Sequence, residues 1–153
     1  MTIPARFKGG QRGIALLEPM IVLAIILIIA TFAYPSYTQY VVNTKRNAAT
    51  SILLQIAERQ QQFFMDNKRY AKDLTNLGFS ANPLFVSSDG SPAAVGNTDT
   101  VYVFGLANVA ATTYIAVAAP LAGQLERDTD CATLTLNQAG ARGATGAADD
   151  CWR

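Results

Sequence analysis

The sequence predicts an α+β protein in which one long, kinked N-terminal helix packs on an antiparallel sheet. Three observations predict it. A long apolar run, Ile14 to Tyr34, interrupted by one acid, lies near the start. Apolar residues then recur at three- and four-residue spacings as far as Phe64. Short alternating segments, divided by turn-forming residues, fill the C-terminal third. The first two patterns are helical and the third is that of a β-meander.

The apolar run is 21 residues long. As a helix it would rise about 31 Å, close to the hydrocarbon thickness of a bilayer. Arg6, Lys8 and Arg12 precede it, and such a basic flank holds an N-terminus in the cytoplasm. The C-terminal part is then expected outside the cytoplasm. There, an even count of two cysteines, Cys131 and Cys151, suggests a disulfide, with two free thiols as the alternative.

An ordinary secretory signal would end in small residues at a cleavage site, but this run ends in ATFAYPSY. An ordinary signal anchor explains the bases and the greasy helix but not Glu18. An acid in that setting costs about 3 kcal/mol, so it calls for a partner. A cut between Gly13 and Ile14 would supply one. The new Ile14 amine would lie about 6 Å along the helix from Glu18. Stacked copies could set the amine of one against the carboxylate of another, which would select axial register.

These residues resemble the N-terminus of type IV prepilins. The family pattern is a basic leader ending in Gly, an apolar residue, Glu at the fifth mature position, and an apolar helix. Here it reads R12-G13, then I14-A15-L16-L17-E18, then the run to A33-Y34-P35-S36-Y37. The resemblance implies cleavage after Gly13 by a prepilin peptidase, which also N-methylates Ile14. It implies that Glu18 aids cleavage and subunit docking. Two positions depart from the pattern: Ala15 stands where Thr is frequent, and Pro19 follows Glu18. A proline at position 19 lacks an N–H and opposes the carbonyl of Ala15, so the regular helix is expected to begin near Glu18.

The helix should continue to about Met65. Ala48, Ala49, Ile52, Leu53, Ile56, Phe63 and Phe64 form an apolar stripe between polar residues such as Gln55, Glu58 and Gln62. Pro35 should kink it, because a hydrogen bond is lost there. The expected organisation is a leader over 1–13, a membrane or fibre-core helix over 14–34, an amphipathic helix over 35–65, a connecting loop over 66–100 and a sheet over 101–153. Tyr70, Leu74, Leu77 and Phe79 are expected to anchor the loop. Val86–Thr100 is rich in Gly, Pro, Ser, Asn and Asp and reads as surface loop. Strands are expected at Val101–Ala107, Thr112–Ala119 and Cys131–Asn137. The layout from Asp130 through Arg142–Gly143 to Cys151–Trp152 resembles the C-terminal part of PilE/ComP-type minor pilins.

Composition limits the functions. The whole chain carries a net charge of +1, and beyond Gly13 nine bases face eleven acids. That is a weak starting point for a nucleic-acid binder. Without histidine, the commonest general base and metal ligand is missing. Gly140, Gly143 and Gly146 do not sit between a strand and a helix, so they form no phosphate cradle. No metal, cofactor or catalytic site is expected, and the chain reads as a substrate of the peptidase rather than an enzyme.

The resemblance implies a minor pilin that is held in the inner membrane with its C-terminal domain periplasmic, then built into a cell-surface pilus. Its partners would be the peptidase, other pilins and the assembly machinery. A second reading is a receptor for double-stranded DNA, as in some ComP-type members. Lys68, Arg69, Lys72 and Arg142 would then touch phosphates, with Tyr70 and Trp152 as stacking groups. Asp128, Asp130, Asp149 and Asp150 lie near in sequence and count against it. A third is an adhesive tip subunit displaying Val86–Thr100.

Overall fold

A computed structural model of the chain describes residues 17–147 and 150–152. Internal contacts divide the chain after Tyr40 into two units. The elements run α1 (Leu17–Asn67), a 3-10 turn (Leu74–Leu77), β1 (Leu84–Ser87), β2 (Pro92–Ala93), β3 (Thr100–Ala107), β4 (Ile115–Pro120), α2 (Ala122–Arg127), β5 (Leu134–Asn137) and β6 (Arg142–Ala144).

Up to Tyr34, α1 is apolar on all sides apart from Glu18, and none of its described residues up to Tyr40 is buried. The helix is long and apolar enough to cross a membrane. The helix continues through Pro35, whose carbonyl accepts a hydrogen bond from the Thr38 hydroxyl at 2.9 Å. Helix is already present at Leu17, one residue before the expected start.

From Val41 onward the chain builds a sheet with strand order β2-β1-β3-β4-β5-β6, every neighbouring pair antiparallel. Alternation places Tyr102, Phe104, Ala116, Ala118, Leu134 and Leu136 on one face, all buried. Ala49, Leu53 and Ile56 of α1 join the same core cluster, as do Tyr70, Leu74 and Leu77. The apolar stripe and the loop anchors therefore do the work their spacing predicts, with Phe79 packed at the margin.

The three expected strands are present, with no end moved by more than three residues. Two expectations need correcting. The 66–100 segment is not all loop: β1 and β2 pair within it, Phe85 opposite Ala93. Leu84 and Val86 are buried and Phe85 half-buried, so LFVS has the alternation of a strand before the turn residues begin. A short β6 also follows β5, where only a tail was expected.

Cys131 and Cys151 form a disulfide, with Cα atoms 5.5 Å apart. The tail it holds lies tight against the chain before β5. A side chain at Gly146 would run into the backbone of Asp130, so only glycine fits there.

Candidate functional site

Helix α1 ends in a basic turn. Lys68 takes the left-handed conformation at φ 56° and closes the helix, its N–H bonding the Phe64 carbonyl at 2.8 Å. Its ammonium also donates to the Met65 carbonyl at 2.9 Å. Arg69 and Lys72 are exposed, while Tyr70 and Ala71 between them are buried. Neither Arg69 nor Lys72 has a carboxylate partner among the described residues. They flank a notch of about 200 Å³ that Asn76 also lines.

Tyr70 fixes this turn to the sheet. Its N–H bonds the Ala111 carbonyl in the β3–β4 connection at 3.2 Å. Its ring lies 4.7 Å from both Phe64 and Tyr114. Burial pushes the Tyr114 hydroxyl up to about 12. Tyr70 is thus a core aromatic, and the expectation that it stacks on a ligand is corrected.

The same end of the sheet carries Arg142. Tyr114 N–H bonds the Gln138 side-chain carbonyl at 3.3 Å, linking the β3–β4 connection to the β5–β6 turn. Asn137 shapes that turn by accepting from Ala139 N–H and Ala141 N–H at 3.0 and 2.9 Å. Arg142 opens β6 directly after it, opposite Leu136. Its guanidinium lies 5.5 Å from the Trp152 ring centre, and the indole N–H donates to the Gly143 carbonyl at 2.9 Å. Topology therefore gathers Lys68, Arg69, Lys72 and Arg142 at one end. Asp66 and Asp73 are the acids in the 66–73 stretch, and Asp73 accepts a hydrogen bond from Asn82 at 2.6 Å.

Two of the four acids expected to repel phosphate, Asp128 and Asp130, are placed differently. Asp128 is buried at the opposite end, where Tyr102 pairs with Pro120. It makes an ion pair with Arg46 and accepts hydrogen bonds from Tyr102 at 2.9 Å and Gln124 at 3.1 Å. Arg46's own hydrogen bond to Asp128 raises its guanidinium above the usual value. Gln124 also donates to the Val42 carbonyl at 3.3 Å, so this network ties α1 to α2 and β3. Asp130 precedes β5 at the same end as Asp128, away from Arg142. Asp149 lies outside the described residues, and Asp150 is exposed and stands two residues before Trp152, the ring beside Arg142. Sequence reasoning missed this network because Arg46 and Asp128 are 82 residues apart and both look like surface charges.

Of the other expected site residues, Gly13 and Ile14 lie outside the described residues. Glu18 is exposed in the first turn of α1. No group of three or more metal-ligating side chains occurs among the described residues.

Residues 35–135 match the sequence model described as "Type IV minor pilin ComP, DNA uptake sequence receptor". The chain is 34% identical over 76 residues to the type IV major pilin protein PilA of Myxococcus xanthus, covering 50% of this chain and 34% of that one. It is 34% identical over 94 residues to the type IV major fimbrial protein FimA of Dichelobacter nodosus, covering 60% and 48%. The chain thus spans less than half the length of these relatives. A type IV pilin from Shewanella oneidensis is a similar solved structure, with a TM-score of 0.47 and 17% identity, covering 73% of this chain and 98% of that one. With two thirds of its length matched by that sequence model, the chain belongs to the ComP family of type IV minor pilins.

Proposed function

We propose that the chain is a minor subunit of a type IV pilus, cut after Gly13 and N-methylated at Ile14 by a prepilin peptidase, then drawn from the inner membrane into the fibre. The exposed, all-round apolar helix from Leu17 with an acid in its first turn carries this reading. Such a surface needs lipid or neighbouring helices around it. The Ile14 amine of one copy would pair with Glu18 of the next, and Pro35 would bend the helix between its fibre-core and globular halves. Glu18→Ala should leave membrane insertion intact and lower incorporation into sheared pili. Incorporation at the wild-type level would sink the assembly role of Glu18.

A second reading rests on a different observation. Lys68, Arg69, Lys72 and Arg142 stand at one end of the sheet, away from the buried Asp128. Double-stranded DNA fits such a face, because each base that meets a phosphate releases counterions. The full-length mature chain in detergent should bind duplex DNA, and affinity should fall steeply between low and physiological salt. A salt-independent or absent interaction would leave assembly as the sole role.

A further inference from the structure

Resting on the DNA reading, we propose that Gln60 is the positioning residue that sets Arg69 and Lys72 at the spacing a nucleic-acid phosphate requires. Gln60 is fully buried on α1, two turns before the basic turn begins. Its side-chain amide reads one residue of that turn twice. Nε2 donates to the Ala71 carbonyl and Oε1 accepts from the Ala71 N–H, both at 2.9 Å. This is the bond pattern a neighbouring strand would make, supplied by a single side chain. Ala71 directly precedes Lys72 and follows Arg69 by two residues, so fixing its peptide groups fixes the stem of Lys72 directly and that of Arg69 through Tyr70.

The arrangement is more specific than core filling requires. The stripe position that Gln60 occupies follows Ala49, Leu53 and Ile56, and an apolar residue would satisfy the core there. A buried amide is costly unless every polar atom is paired, and here both are. Tyr70 holds the other side of Ala71 between Phe64 and Tyr114. The walls of the notch between Arg69 and Lys72 are therefore rigid before any ligand arrives. Two long cationic side chains on a fixed peptide lose less freedom on meeting a phosphate than two on a mobile loop.

Gln60→Met keeps the volume and removes both hydrogen bonds, and the probe is a duplex DNA of random sequence. In the full-length mature chain, binding should weaken about tenfold at low salt, and the slope of log affinity against log salt should fall by about two. Ile56→Val, a core change one turn away, serves as the control for lost stability and should leave the slope unchanged. Adding Gln60→Met to an Arg69→Gln/Lys72→Gln chain should cost no further affinity, since the cations it positions are gone. Should Gln60→Met fold poorly, Gln60→Glu retains the acceptor for Ala71 N–H and should give an intermediate loss. Wild-type affinity and slope in a folded Gln60 variant overturn the proposal while leaving the DNA reading standing. A wild-type chain that does not bind DNA overturns both.

Discussion

One helix is built by two rules. Up to Tyr34, α1 is apolar in every direction apart from Glu18, and Leu27 is 67% exposed and Phe32 75%. From Val41 to Asn67 it is apolar along one stripe only, and Leu53 and Ile56 are fully buried. The total apolar content falls between the two halves, yet burial appears only in the second. What buries a residue here is periodicity matched to a sheet face, whereas uniform apolarity marks a surface meant for lipid or for other helices.

The largest test of that contrast is a pair of identical truncations. Leu53→Ala should destabilise the Val41–Arg153 unit by about 4 kcal/mol, because transfer and cavity terms add in a closed core. Leu27→Ala should leave the thermal midpoint of that unit unchanged. Equal effects, measured by circular dichroism in the same detergent, would erase the distinction between the halves.

A polar contact sharpens it next. Arg46→Met should cost about 3 kcal/mol, because it leaves the Asp128 carboxylate buried without its cation. Tyr102 and Gln124 still donate to that carboxylate, which keeps the loss toward the lower end of what such pairs show. Urea unfolding reads it directly, and a variant as stable as wild type would mean that Asp128 needs no cation.

The smallest effect is one of pH. Burial raises the hydroxyls of Tyr102 and Tyr114, and the Asp128 carboxylate raises Tyr102 further. Below pH 10 both folded and unfolded chains keep these protons. Above it the unfolded chain releases them first, so stability should fall as pH rises from about 10 to 12. Tyr102→Phe/Tyr114→Phe should flatten the alkaline decline of the thermal midpoint, and an unchanged profile would assign that decline elsewhere.

Much of this was legible in the sequence because it is local. The apolar run, the stripe from Ala49 to Phe64, and the alternation in β3, β4 and β5 are short-range patterns. β1 and β2 were harder, since their few residues sit among SSDGSP and the pairing itself defines them. Arg46 with Asp128 needed the fold to bring distant charges together. The bases at one end needed strand order, which no window of sequence contains. Gln60 left a trace: it is a polar residue at the next position of the stripe that runs through Ala49, Leu53 and Ile56. An amide on an apolar face asks for two partners, and the Tyr70–Ala71 turn supplies them.

Trp152 is the chain's sole tryptophan. Its indole is hydrogen-bonded to β6 and lies beside Arg142, next to a disulfide-held cysteine. Excited on the long-wavelength side of tyrosine absorption, the intrinsic emission of this protein therefore comes from one address. A shift or quench in that emission reads the state of the C-terminal end of the sheet, undiluted by signals from the helix. Ligand titration, disulfide reduction and fibre incorporation can each be followed there without a label.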